Sequence, residues 1–198
     1  MLSVWAGGPS AWSDAKSLQA HWLVGQWRDG TGPVYSLPRW QQAHNDLQAA
    51  LRLTPRNAQL LDDLGFLNVG RAMGLGKPEA GTSEHALQQA LFARAIAHYR
   101  AATTLRPTFP YTWAYLALAK HFKGEEDPEL WQAFDKALRY GRNEAGVQPA
   151  MAQVAFAHWN DLSPERKTQM AEMIKDAQPV PHKKLMDLAE ENGVVLRD

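Results

Sequence analysis

One spacing pattern recurs along the chain and limits its possible folds more than any other feature. Two copies share the order small, large, small, proline at offsets of four, three and five positions: Ala43, Leu47, Ala50, Pro55 and Ala95, Tyr99, Ala102, Pro107. Offsets of three and four place side chains on one face of an α-helix. A small residue lets two helix axes approach, and a large residue one turn away fills the space between them. Because proline has no N–H to donate, it ends the helix. The pattern therefore predicts helices that pack in pairs.

Further segments fit the same period. A third, incomplete copy has Leu130, Phe134 and Ala137, with Arg142 at the proline position. Each complete copy precedes a predicted first helix, whose marker residues are Leu61, Leu64, Gly65, Asn68 in one case and Trp113, Leu116, Ala117, Lys120 in the other. These residues match part of the W-x2-L-G-x2-Y pattern of tetratricopeptide repeats. Since alternating β-branched stretches are scarce, we expect an all-α chain. Its predicted architecture is a tetratricopeptide-like α-α superhelix of about three helix pairs, with an N-terminal Trp-rich helix and C-terminal capping helices.

The same period predicts how the chain is organised. We expect residues 1–198 to form a single tetratricopeptide-like helical domain, with an N-terminal Trp-rich helix in 1–38, a repeat core in 39–143 and C-terminal helices in 144–198. A glycine-rich loop at 73–83 interrupts the core, and Ser83 is the expected N-cap of the helix that follows it. Helix signals mark residues 9–29, 58–72, 86–104, 147–160, 164–177 and 182–191.

Composition argues against several classes of function. The chain has 21 basic and 21 acidic residues and no block of either sign, which argues against a nucleic-acid binder. It has no cysteine, so disulfides, thiolate nucleophiles and iron–sulfur sites are excluded. A chain without cysteine suits an oxidising compartment such as a periplasm, but many cytosolic proteins also lack cysteine. No stretch of about 18 apolar residues occurs. The N-terminus lacks the basic region of a signal peptide and an apolar region of sufficient length, and its abrupt apolar start fits either a natural beginning or a removed anchor.

Two stretches carry a more specific resemblance. Residues 99–118 read YRAATTLRPTFPYTWAYLAL, and residues 147–164 contain the segments VQP and AHWNDLSP. Both resemble the VpsP-type polysaccharide-biosynthesis accessory proteins, as do residues 52–57, residues 129–138 and the Trp-rich start. The resemblance extends over most of residues 5–177. It implies the periplasmic helical-repeat domain of a single-span inner-membrane protein encoded in a bacterial exopolysaccharide cluster, and it implies no catalytic residue.

The polar residues form no recognisable catalytic or metal-binding motif. None of the seven histidines belongs to an H-x-x-x-H or H-E-x-x-H sequence, and no P-loop, G-x-G-x-x-G or G-x-S-x-G occurs. Asp62-Asp63 and Glu125-Glu126-Asp127 supply the paired carboxylates that a glycan-cleaving enzyme needs. We expect the first pair to open a helix and the second group to lie in a polar turn, which are structural positions. The sequence therefore predicts no catalytic, cofactor-binding or metal-binding residue.

Tryptophan is concentrated at the start of the chain. Five of the eight tryptophans lie within the first 40 residues: Trp5, Trp12, Trp22, Trp27 and Trp40. Three roles fit these side chains, namely core packing in the first helix, anchoring at a protein or membrane interface, and stacking against sugar rings. Core packing is the preferred interpretation, because large aromatic side chains supply much of the buried surface of a small domain.

The repeat period also predicts where a partner binds. First helices line the concave face of tandem helix pairs, so their outward side chains form the natural binding surface. This prediction places seven residues in an apolar groove: Asp62, Phe66, Val69, Tyr111, Ala114, Leu118 and His121. Such a groove accepts an extended segment or a helix of another protein. Alternatively, the N-terminal Trp helix or the helix at 182–191 fills the groove within the same chain.

We therefore expect a non-enzymatic protein–protein interaction scaffold that needs no cofactor and binds no nucleic acid. By resemblance, its partners are proteins of exopolysaccharide synthesis or export, it works in the periplasm, and an anchor absent from this chain holds it at the inner membrane. A generic tetratricopeptide adaptor or chaperone module is the first alternative. A glycan-binding or glycan-cleaving protein is the second. Exposed tryptophan surface would also allow a homo-oligomer.

Overall fold

The computed structural model describes residues 9–195, with side chains described from residue 18 onward. This range contains nine helices: α1 (Pro9–Arg28), α2 (Leu37–Leu53), α3 (Ala58–Met73), α4 (Ser83–Leu105), α5 (Pro110–Lys123), α6 (Pro128–Gly141), α7 (Val147–Ala157), α8 (Pro164–Lys175) and α9 (Pro179–Glu191). No β-strand occurs within the described range, so the all-α prediction is confirmed. None of these nine helices combines the length and apolar character needed to cross a membrane.

The chain divides into two compact units. Residues up to Arg106 form the first unit, which contains α1–α4, and residues from Pro107 onward form the second, which contains α5–α9. The division falls inside residues 39–143, the stretch in which the sequence predicts one continuous repeat core.

Helices α3 and α4 form an antiparallel pair in the first unit. The start of α4 meets the end of α3, where the Gln88 side chain donates to the carbonyl oxygens of Ala72 (3.0 Å) and Gly76 (2.8 Å). Farther along the pair, the ring of Tyr99 lies against Gly65, where an added β-carbon would come within 2.5 Å of the ring. The small residue Gly65 and the large residue Tyr99, both marked by the sequence pattern, therefore contact each other directly between these two helices.

Side-chain caps set the starts of both helices in this pair. The Asn57 side chain accepts hydrogen bonds from the backbone N–H groups of Gln59 (3.0 Å) and Leu60 (3.2 Å). The Thr82 hydroxyl accepts from the N–H of His85 (3.2 Å). The predicted cap of α4, Ser83, is therefore wrong by one residue, because both serine and threonine hydroxyls can cap a helix and the two residues are adjacent here.

Helices α1 and α2 pack beside α3 around one apolar cluster. Its buried members come from all three helices: Ala20, Val24, Ala43, Leu47, Ala50, Leu60, Leu64 and Leu67. The three recurring positions of α2, Ala43, Leu47 and Ala50, are all within this cluster. The face of α2 that the sequence pattern marks is thus the buried face.

In the second unit, α5 and α6 are antiparallel while α5 and α7 run in the same direction. The Lys136 ammonium lies 4.0 Å from the Trp113 ring centre, and Lys120 at the other end of α5 contacts Glu129 at the start of α6. Helix α7 follows α5 from Gly146, which lies against Tyr111, to His158 at its C-terminus. Helices α8 and α9 both pack against α7.

The helix ends that the sequence predicts lie within three residues of the helix ends in the structure. The largest informative difference is at α9, which begins at Pro179, whereas the sequence predicts that residues 179–181 separate two helices. Pro179 and Pro181 occupy the first turn of α9. Backbone N–H groups in that turn have no partner within the helix, and the fixed φ angle of proline suits the helix, so both prolines are accommodated.

Candidate interaction surfaces

The predicted partner-binding residues of the first unit differ in their accessibility. Asp62 is only 5% exposed and forms an ion pair with Arg106. Phe66 is half-buried beneath the Arg28 guanidinium, which lies 4.8 Å from the ring centre, and Val69 is also half-buried. The side chain of Asp62 is thus directed into an internal ion pair, which leaves Phe66 and Val69 as the partly accessible members.

The four predicted residues of the second unit are likewise unequal. Ala114 is fully buried, so its side chain presents no surface to a partner. Tyr111 donates its hydroxyl hydrogen to Glu144 (2.7 Å), and this bond together with burial raises the pKa of the phenol to about 12. His121 pairs with another histidine, and Leu118 is half-buried. Leu118 is therefore the one partly accessible side chain among these four that is purely apolar.

Asp63, the second carboxylate of the pair singled out in the sequence, is completely buried. Its carboxylate forms an ion pair with Arg28 (3.2 Å), accepts a hydrogen bond from Gln59 (3.1 Å) and lies 2.6 Å from the His21 ring nitrogen. The expectation that the pair opens a helix is wrong, since α3 begins at Ala58 and its first turn contains no acidic residue. The role is still structural, but it comes from ion pairs with α1 and not from the helix dipole.

The acidic turn between α5 and α6 is organised by one buried cation. The Lys120 ammonium is 1% exposed and donates to Glu125 (3.0 Å), Asp127 (2.8 Å) and Glu129 (2.9 Å). Burial works to lower the pKa of Lys120, but these hydrogen bonds outweigh burial and raise it above its ordinary value. Asp127 also caps α6 by accepting from the N–H of Leu130 (3.0 Å). The sequence marks Lys120 as a repeat position and does not reveal this cluster.

Two histidines meet at the C-terminal ends of α5 and α7. His121 Nδ1 and His158 Nε2 are 3.0 Å apart, and His158 Nδ1 lies 3.6 Å from Glu126. Burial, then the neighbouring His158, lowers the pKa of His121, with Glu126 opposing them. Within residues 9–195, no group of three or more His, Cys, Asp or Glu side chains has a geometry that could hold a metal ion. The pair is therefore best described as a polar contact between two parallel helices.

The early tryptophans do not share one role. Trp5 and the side chain of Trp12 lie outside the described part of the structure. Trp27 and Trp40 are half-buried, and their indole N–H groups donate to the carbonyl oxygens of Pro33 (2.9 Å) and Leu67 (2.8 Å). Trp22, in contrast, is 58% exposed. Core packing thus describes two of these side chains, and Trp22 lies on the surface.

Trp22 is one of several exposed apolar side chains near the start of the first unit, here together called the N-terminal patch. Its members, all large apolar side chains with at least 40% exposure, are Leu18, Trp22, Val34, Tyr35 and Leu37. They account for five of the twelve exposed large apolar side chains in the described residues, although they come from only 20 positions. Beside them, a cleft of about 190 Å³ lies between α1 and α2, lined by Trp22, Leu23, Pro33, Arg39 and Asp46 among others.

A second, larger cleft of about 620 Å³ lies between α6 and the start of α8. Arg166 from α8 crosses it, with its guanidinium 4.8 Å from the Trp131 ring centre and with two nitrogens on the carboxylate of Asp135 (2.8 and 2.9 Å). One cation and one carboxylate of its lining, Arg166 and Asp135, thus already neutralise each other. The arrangement joins α6 to α8 within the second unit.

No protein-family model matches this chain, and no curated protein is significantly similar to it.

Proposed function

We propose that this chain is a protein–protein interaction scaffold of the tetratricopeptide-like kind. The observation that carries the proposal is the packing of its helix pairs. Both α3–α4 and α5–α6 are antiparallel pairs with a close glycine contact, Gly65 of the first helix against Tyr99 in one and Gly141 of the second helix against Pro110 in the other. Tandem antiparallel helix pairs bury one face of each helix and leave side chains of the first helices available to a partner.

The arrangement of charged side chains supports a binding role. Asp62 and Asp63 are paired with Arg106 and Arg28, and the acidic turn before α6 surrounds Lys120. Under this proposal these carboxylates stabilise the helix pairs, and the chain acts without a catalytic residue or a cofactor. A partner would then contact half-buried apolar side chains, Val69 on the first unit or Leu118 on the second.

The biological setting that we propose follows from the resemblance of residues 99–118 and 147–164 to VpsP-type accessory proteins. In that setting the scaffold works in the periplasm and helps to assemble proteins of exopolysaccharide synthesis or export. An anchor outside this chain would hold it at the inner membrane. A general tetratricopeptide adaptor is the alternative that the same helix pairs support.

Crosslinking and pull-down of the full-length protein from native membranes tests the proposal. Recovery of polysaccharide polymerase, export or chain-length proteins is expected. The variants Val69→Lys and Leu118→Lys each place a charge on one half-buried apolar position, and each should reduce the recovery several-fold. Leu87→Lys is the matched control, because Leu87 is 42% exposed on α4 and lies outside the predicted groove.

The possible outcomes separate the candidate functions. Chaperones or haem proteins in place of polysaccharide proteins would favour the general adaptor. A glycan recovered without protein partners would contradict the scaffold proposal. Equal recovery with all three lysine variants would keep the scaffold but remove the predicted groove as its binding surface.

A further inference from the structure

The N-terminal patch has the composition of a protein-binding surface. Trp22 is 58% exposed and Leu18, one helical turn before it, is 70% exposed. Tryptophan side chains dominate the binding energy of many interfaces, and here an exposed tryptophan and an exposed leucine lie one turn apart on the same helix. The patch belongs to the first unit and has no part in the predicted groove.

The patch also contains both a protruding side chain and a depression. Trp22 stands at the rim of the cleft between α1 and α2, whose floor includes Ala20, Leu23 and Ala43. A surface that carries a large exposed side chain beside a cleft of about 190 Å³ can receive the same side chain from an identical surface.

Charges along the cleft point to the same occupant. Arg39 and Asp46 both line it from α2, seven positions apart, which separates them by about 10 Å along the helix. The Arg39 side chain donates one N–H to the carbonyl oxygen of Val34 (3.0 Å), and no ion pair to Asp46 is present among the described residues. A cleft with a cation toward one end and an anion toward the other is complementary to an antiparallel copy of itself.

We propose that the N-terminal patch is the interface of a homodimer with two-fold symmetry. Trp22 of each protomer enters the cleft between α1 and α2 of the other. Arg39 of each protomer meets Asp46 of the other, so that two identical ion pairs frame the apolar centre. This inference goes beyond the scaffold role, since a dimer presents two copies of every partner-binding surface and binds a multivalent partner more tightly.

Sedimentation equilibrium of the full chain over a range of concentrations tests the proposal. The expected mass at high concentration is twice the 22.1 kDa of one chain. Trp22→Lys should raise the dissociation constant at least tenfold, while circular dichroism shows an unchanged helical monomer. Leu87→Lys adds the same charge at an exposed leucine of the first unit outside the patch, and it should leave the dissociation constant unchanged.

Charge reversal tests the identity of the occupant. Arg39→Glu and Asp46→Arg should each weaken the dimer, because each puts like charges together at both ends of the interface. The double variant restores opposite charges and should recover most of the affinity, although it lacks the bond from Arg39 to Val34. Recovery of this kind requires that position 39 of one protomer faces position 46 of the other.

Three results would overturn the proposal. The chain could sediment as a monomer at every concentration, Trp22→Lys could leave the dimer intact, or the double charge reversal could be as weak as the single variants. Binding of the monomeric chain to lipid vesicles, abolished by Trp22→Lys, would instead assign the patch to a membrane surface.

Discussion

Gly65 lies directly against the ring of Tyr99, and the space between them excludes even one additional carbon atom. A β-carbon at position 65 would come within 2.5 Å of the ring, and Tyr99 is itself 1% exposed. The contact joins α3 to α4 through two residues that the sequence pattern marks separately, a small one and a large one. This contact shows directly how residues marked by their spacing in the chain pack together in the fold.

Gly65→Ala should therefore destabilise the first unit. Overpacking of this kind costs about 1–3 kcal/mol, which the better helix propensity of alanine offsets by less than about 1 kcal/mol. Chemical denaturation measures the loss. Gly70→Ala is the matched control in the same helix, because nothing lies within 4 Å of its added β-carbon, and it should stabilise the protein by about 0.5–1 kcal/mol. Equal effects of the two substitutions would contradict the close packing at Gly65.

Asp63→Asn should lower the free energy of unfolding on the order of 2 kcal/mol, because it removes the charge that His21 and Arg28 face. Asp29→Asn, at an exposed position in the same unit, should change it by less than about 0.5 kcal/mol. Thermal and urea unfolding of both variants make the comparison. A neutral Asp63→Asn would show that the buried carboxylate does not stabilise the packing of α1 on α3.

Lys120→Met removes the cation that the acidic turn surrounds. We expect a loss on the order of 2 kcal/mol, less than for a fully buried ion pair, because water reaches the three carboxylates and screens their charges. Lys183→Met is a suitable control, since Lys183 is 78% exposed and forms a pair within one helix. If the two variants unfold at the same denaturant concentration, the cluster contributes no stability.

The same cluster predicts a dependence on acid pH. The pKa of Glu125 is lowered mainly by hydrogen bonds from Lys123 and Lys120. Burial works to raise the pKa of Asp127, but hydrogen bonds from Lys120 and from the Leu130 N–H lower it. Carboxylates with lowered pKa values stabilise the fold above their ordinary pKa, and this contribution is lost as the pH falls through the lowered values. The unfolding free energy of Lys120→Met should consequently fall less steeply below about pH 5 than that of the unchanged protein.

The histidine pair predicts a separate transition at milder pH. The pKa of His121 is lowered, so the unfolded chain binds the proton more readily, and stability falls as the pH drops below the ordinary value of 6.5. His121→Gln should reduce this dependence, although His44 and His98, whose pKa values are also lowered by burial, keep part of it. In NMR titrations of the folded chain, His158→Gln should raise the pKa of His121. An unchanged value would argue that the 3.0 Å contact is not maintained in solution.

The sequence predicts most of the helices because their signals are local. The 58–72 prediction agrees with α3 to within one residue, and the recurring Ala43, Leu47 and Ala50 are all buried. The candidate site is harder to predict. Extending the helical period places Asp62 and Ala114 in an exposed groove, but the period indicates only which side of a helix a residue occupies and not which neighbour covers that side.

Local sequence signals specify where helices form and which of their faces are apolar. Caps, prolines and offsets of three and four residues act within one or two helical turns, so they can be read without knowing the fold. Which polar groups meet depends instead on the packing of distant helices. Arg106 and Asp62 are 44 residues apart, His21 and Asp63 are 42 apart, and His121 and His158 are 37 apart. Such pairs depend on how whole helices pack, and no local signal records them.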